Sequence, residues 1–281
     1  MKMLGKEGLK ALIKLLETES ESYGPVLKSA LADAIKQNPS QVQLVMEEEY
    51  QTSAPMSVLN TLEEICWEDL ATALARFSAK INPDLEEGLA LLSKFTSPTT
   101  ARGDISAPLD KMAAELRPVL LNANTYAEIA AVLGHYFFHI QGFAALQTNT
   151  DIKDISFSRF LHKKRGSSLC VACLYACIGQ RYGMDASLVD LAGRVLVHMR
   201  DFARKESLFI DPLDNGKPLT REDCSRYIRS RHIEWSEEFL APLSSRLIIR
   251  RFIANMIYVL NKVRDERRLK FLRNYLEIIK G

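Results

Sequence analysis

Apolar positions in the first part of the chain recur at helical spacing. Leu9, Leu12, Ile13, Leu15 and Leu16 predict one amphipathic helix, and Val26, Leu27, Ala30, Leu31 and Ile35 a second. Asn38-Pro39-Ser40 punctuates them. Pro39 suits a first helical turn, where its missing N–H would be unpaired anyway, and Val42, Leu44 and Val45 follow. Further helices are predicted at 58–77 and 85–92. Short helices joined by tight turns predict a small repeat-like stack, although no repeating signature marks a period. Pro98, Gly103 and Pro108 predict a break, and two more helices follow at 109–121 and 126–140. Gly142-Phe143 ends the second. A polar loop at 147–154 leads to a short helix at 157–162.

The pattern then changes period. Ser167 or Ser168 can cap a helix that runs to about Arg181, and Gly183 suits its C-terminal end. Residues 186–211 alternate as strands do: Leu188, Val189 and Leu191, then Val195, Val197 and Met199 against Leu196 and His198, then Leu208, Phe209 and Ile210. The charged loop 200–206 makes a hairpin of 194–199 and 208–210. Asn215-Gly216 predicts a turn, and Thr220-Arg-Glu-Asp223 is a capping box opening a helix to about Ser230. Helices are predicted at 236–239 and 246–279, the latter broken around 264–266. The class is α+β and helix-rich, with helical flanks at 1–103 and 236–281 around a core at 104–235.

Composition narrows the function classes. A chain of 281 residues, 47% hydrophobic and 26% charged, has the balance of an ordinary globular protein and enough length for a sizeable core. No run approaches 18 apolar residues, so no membrane partner is expected, and the charged N-terminal stretch reads as an amphipathic helix, not a signal peptide. Five cysteines (Cys66, Cys170, Cys173, Cys177, Cys224) form an odd set, three of them on one short helix. That is a poor disulfide framework and points to a reducing cytoplasm. A net charge of +2 gives no global pull toward nucleic acid. Basic residues do outnumber acidic ones from Arg246 onward: Arg246, Arg250, Arg251, Lys262, Arg264, Arg267, Arg268, Lys270 and Arg273 could track phosphates. The favoured reading is a solvated helix face opposite the stripe Leu247, Ile248, Phe252, Ile253, Met256, Ile257 and Leu260.

One ordered series has a known counterpart. Leu116-Arg117, Tyr136, Gly142-Phe143 and Phe157 lead to Leu161-His-Lys-Lys-Arg-Gly166, then Tyr175, Gly183, Gly193 and Ile210-Asp-Pro212. Over roughly residues 109–229 this series resembles the SirB family of the transglutaminase-like superfamily. The resemblance implies a papain-like core, a helix packed on a small antiparallel sheet, with a helical N-terminal region and a tetratricopeptide-like tail. In active branches of the superfamily a nucleophilic Cys lies two residues after the first glycine, which gives Ser168 here. The partner His lies about eleven residues after the helix-ending glycine, which gives Arg194, and the Asp of the Asp-Pro element is Asp211. SirB-type proteins as a group tend to lack the nucleophile.

The inherited set Ser168, Arg194, Asp211 therefore reads as inactive. A serine hydroxyl needs a base within hydrogen-bond reach, and a guanidinium stays protonated. Ser168 then reads as a helix cap. A relocated set, Cys170, His198 and Asp211, would support a cysteine-dependent amidohydrolase or acyl-transfer enzyme. Against it, Cys170 is turned by roughly 200° from position 168 on the helix. Cys170, Cys173 and Cys177 share a helix face, but three thiolates on one rigid helix converge poorly on an ion, so packing explains them better. Cys66 and Cys224 read as ordinary buried residues. His135 and His139 have zinc-binding spacing without an intervening Glu and read as a partly buried pair; His162 reads as a surface residue. No cofactor or metal is expected. The overall expectation is a catalytically degenerate protein that binds a protein partner through its helical regions, with no oligomeric state assigned.

Overall fold

Helical periodicity in the N-terminal part becomes α1 (Lys6–Thr18), α2 (Gly24–Gln37), α3 (Pro39–Glu49) and α4 (Met56–Ala79). The computed structural model describes residues 5–18, 23–50, 54–98, 100–123, 125–201 and 206–279. Pro39 opens α3, and the Asn38 side chain accepts the Gln41 N–H as its cap. Leu9, Leu12, Ile13 and Leu16 of α1 are buried with Leu31, Val42, Val45, Val58 and Ile65, and form the core of this part. Leu15 and Leu44, predicted on the same apolar stripes, are exposed. Residues Met1–Asp69 make one compact unit and Leu70–Gly281 a second, the division falling within α4.

The second unit adds α5 (Leu85–Ser93) and α6 (Gly103–Leu120). The predicted break at Gly103 and Pro108 is instead the start of a helix that carries Pro108 and Pro118 inside it. Ile105, Leu109, Met112, Leu116 and Leu120 bury one face of α6 along its whole length, and that packing offsets the backbone bonds the prolines remove. The helix expected at 126–140 is α7 (Tyr126–Gly134) continued by a π-helical turn, His135–Ile140. Beyond it lie β1 (Ala144–Leu146), a 3-10 turn (Ile152–Ile155), α8 (Phe157–Lys163) and β2 (Arg165–Ser167). β1 and β2 pair in parallel, Ala145 opposite Gly166.

From β2 the chain enters α9 (Ser168–Arg181), whose residues 169–179 are all buried. Gly183, at φ +66°, ends it in the left-handed conformation that favours glycine. A four-stranded antiparallel meander follows: β3 (Asp185–Leu191), β4 (Arg194–Asp201), β5 (Glu206–Asp211) and β6 (Lys217–Leu219). The predicted hairpin loop at 200–206 lies in part outside the described residues. The Asn215-Gly216 turn, both residues at positive φ, joins β5 to β6 through a short 3-10 turn. The Thr220–Asp223 capping box opens α10 (Arg221–Ser230). After a 3-10 turn (Glu237–Leu240) come α11 (Ser245–Val263) and α12 (Glu266–Ile278), broken at Arg264 in the left-handed region.

Strand alternation gives the sheet two different faces. Leu196 of β4 packs with Val189, Leu191, Phe209, Cys224 and Ile228, so α10 covers that face. α9 packs on β3 and β4 from the other side, where Val195, Val197 and Met199 are buried. Among the described residues no helix is long and apolar enough to cross a membrane.

Candidate functional site

The N-terminus of α9 is held by Ser167, not Ser168. Ser167 has extended backbone and its hydroxyl accepts the Cys170 N–H at 3.4 Å, while Ser168 is the first helical residue. The cap role expected for Ser168 thus belongs one residue earlier. The Ser167 hydroxyl also donates to Cys170 Sγ at 3.3 Å, and that thiol lies 3.6 Å from the Ile155 carbonyl oxygen. Cys170 is fully buried. Burial pushes its thiol up to about 12, against the smaller opposing effect of the Ser167 bonds. Cys173 and Cys177 are buried and raised in the same way. Such thiols are protonated and enclosed, the reverse of what a nucleophile needs.

On the sheet, Arg194, Leu196 and His198 share the face of β4 that α10 covers. Arg194 ion-pairs with the Asp211 carboxylate, which is almost wholly buried. Asp211 also accepts the Leu213 N–H at 2.9 Å. The Arg194 guanidinium lies over the Tyr227 ring, 5.3 Å from its centroid. Two members of the inherited set, Arg194 and Asp211, are therefore joined. No side-chain hydrogen bond joins Ser168 to either of them among the described residues.

The relocated set Cys170, His198, Asp211 is not assembled. His198 shares Arg194's face, as strand alternation requires, and stacks on Phe209 with ring centroids 4.2 Å apart. The sheet lies between it and α9, which carries Cys170. The charges it senses are Arg200 and Asp185, and burial lowers its pKa to about 4. Asp211, its intended partner, is engaged with Arg194.

His135 and His139 stack at 5.4 Å on the π-helical turn, yet both are exposed, not partly buried. Among the described residues no group of three His, Cys, Asp or Glu could hold a metal ion. His162 is exposed, Cys66 is half-buried and Cys224 is buried against the sheet.

Two cavities meet at Arg194. One, of about 620 Å³, is lined by Gln147, Gly193, Arg194, Asp214, Tyr227 and Arg231 among others. The second, of about 390 Å³, shares Arg194, Asp214 and Tyr227 and adds Asp211, Lys217 and Arg226. Arg231 donates to the Tyr227 hydroxyl at 2.9 Å and lies 5.7 Å from the same ring. Sequence reasoning passed over Tyr227, Arg231 and Gln147. The four-residue spacing of Tyr227 and Arg231 on a helix was the available signal. A further cavity of about 650 Å³, lined by Ala113, Arg117, Leu121, Tyr182 and Met184, holds none of the predicted site residues.

The basic C-terminal stretch is largely occupied within the chain. Arg246 donates to the Ser78 and Lys80 carbonyls, Arg250 to those of Leu276 and Ile279, and Arg251 to Asp190 and the Gly193 carbonyl. Arg268 pairs with Asp265, and Arg273 with Glu266.

A central helix on an antiparallel meander, entered through a glycine and closed by an Asp-Pro strand end, defines a transglutaminase-like core. The family model described as transglutaminase-like superfamily matches residues 103–254, more than half of the chain, and the chain belongs to that superfamily. Comparison with curated proteins and with solved structures found no match.

Proposed function

We propose that this chain is a transglutaminase-like protein of the SirB type that has given up acyl transfer and serves as a cytoplasmic protein-interaction or regulatory module. The observation that carries this reading is the Arg194–Asp211 ion pair. Acyl transfer needs a group that accepts a proton and returns it. A guanidinium cannot do this, and the Asp that would orient a base is neutralising a cation instead. Ser168 makes no side-chain hydrogen bond to a base among the described residues, and Cys170, two residues on, is buried and held protonated. The helical N-terminal region and the tetratricopeptide-like tail would then carry partner contacts. The cysteine-enzyme reading is disfavoured by the placement of His198 across the sheet from Cys170. Binding of nucleic acid through α11 and α12 is disfavoured because Arg246, Arg250, Arg251, Arg268 and Arg273 of the basic run are engaged within the fold.

Alkylation of each cysteine in the folded protein from pH 5 to 9, read by mass spectrometry, tests the proposal. The expected outcome is protection of Cys170, Cys173 and Cys177 until the protein unfolds. Selective labelling of Cys170 with an apparent pKa well below about 8, lost in His198→Ala, would overturn it.

A further inference from the structure

The cavity beside Arg194 has a charge arrangement that its fold does not use. Arg194 is neutralised by Asp211, and Asp214 has Lys217 at 3.6 Å. That leaves Arg231, which makes no ion pair among the described residues and is held in place by the Tyr227 hydroxyl. Arg194 and Arg231 both lie within 6 Å of the Tyr227 ring centroid, so one aromatic side chain fixes two guanidiniums at the same cavity.

From this geometry we infer that the cavity is a receptor for the C-terminal carboxylate of a peptide, an inference that rests on the non-catalytic reading above. A carboxylate offers planar paired oxygens that match a guanidinium edge, and Arg231, with no ion pair of its own among the described residues, presents one beside Arg194. The charge balance decides between anions. Over the two cavities, Arg194, Lys217, Arg226 and Arg231 against Asp211, Asp214 and Asp223 leave one surplus positive charge, which suits a monoanion better than doubly charged phosphate. Gln147, which also lines this cavity, offers both a donor and an acceptor for a peptide backbone, and about 620 Å³ accommodates a residue or two of peptide. The superfamily's His position would thus have become part of a binding pocket when Arg replaced the imidazole.

The test is a titration of the full chain, labelled with ¹⁵N-arginine, with N-acetyl-alanyl-alanine and with the same dipeptide as its C-terminal amide. Saturable shifts of the Arg194 and Arg231 Nε–H resonances are expected with the acid, and binding of the amide weaker by about ten-fold or more. Arg194→Gln could fail to fold, so the deciding variant is Arg231→Gln at an exposed position, expected to weaken binding of the acid by about ten-fold with the thermal midpoint retained. No shift up to about 10 mM acid, equal shifts with the amide, or an unaffected Arg231→Gln would overturn the inference. So would inorganic phosphate that displaces the acid at lower concentration. Free alanine accumulating in the same tube would overturn the non-catalytic reading while leaving the pocket intact. Absence of binding would leave that reading standing, so the two can fail separately.

Discussion

His198 stacks on Phe209 in the buried part of the sheet, where desolvation disfavours the imidazolium and Arg200 adds repulsion. Asp185 pulls the other way without restoring the balance, and the pKa falls from 6.5 to about 4. In the unfolded chain the ring titrates near its ordinary value. Between pH 4 and 6.5 the unfolded state therefore binds more protons than the folded state. The contribution of neutral His198 to stability is complete above about pH 6.5 and is lost as the pH falls toward 4. Urea unfolding across that window checks this, with His198→Phe as the control that keeps a ring on Phe209. The native protein should lose stability more steeply than the variant as the pH falls. Parallel curves would mean that His198 is not buried as a neutral ring. Alternation along β4 made its face legible in the sequence, but its pKa follows from Phe209, Arg200 and Asp185. Arg200 lies two residues along the same strand, but cross-strand register sets Phe209 opposite His198 and Asp185 opposite Arg200, and no local pattern states that. Arg194 and Asp211 were expected in one set from the resemblance, but the ion pair between them was not read from the sequence.

Among the elements, α9 matters most, because the resemblance read from the sequence sets the inherited nucleophile position, Ser168, at this helix's first turn. Ser167 rather than Ser168 supplies the cap, so the two adjacent serines should respond differently to the same change. Ser167→Ala removes the acceptor for the Cys170 N–H and the bond to its thiol, and is expected to cost about 1 kcal/mol. Ser168→Ala should stay within about 0.5 kcal/mol, as substitutions that remove no identified interaction usually do. Equilibrium denaturation of both variants decides. A larger cost at Ser168 would show that it carries the helix start after all. Elements with strong local signals were legible: α9 with Gly183 at its end, β3 to β5, the capping box of α10 and the break at Arg264. Three-residue strands were not, since β1, β2 and β6 are too short to alternate. The parallel pairing of β1 with β2 is also a non-local event. α6 misled because its prolines are local breakers, whereas its buried face acts over five turns. The π-helical turn at His135–Ile140 keeps an apolar spacing that reads as plain α-helix.

At the scale of the second unit, α11 works as a fastener. Its successive arginines reach three different elements. Arg246 takes carbonyls at the end of α4, Arg250 takes those at the end of α12, and Arg251 takes Asp190 and Gly193 at the turn between β3 and β4. Cations at helix C-termini meet unpaired carbonyls and the negative end of the helix dipole, so the contacts of Arg246 and Arg250 are favourable twice over. The same residues are the basic run that, read in sequence, could have tracked a nucleic acid backbone. Local composition cannot distinguish a charge that faces solvent from one folded back on its own chain, because the carbonyls concerned lie up to 168 residues away. The two roles predict different losses. If α11 is a fastener, Arg246→Ala, Arg250→Ala and Arg251→Ala should each lower unfolding free energy by about 1 kcal/mol, the usual worth of a partly exposed charged hydrogen bond. Arg273→Ala, at an exposed pair with Glu266, should cost a few tenths at most, about what such surface pairs contribute. Retention on a nucleic acid column at low salt should be weak in the native protein and no different in the four variants. Strong retention that falls with each substitution while stability holds would make the face a phosphate tracker. Loss of stability with retention unmoved would make these arginines part of the scaffold that holds the sheet and its Arg194 pocket in register.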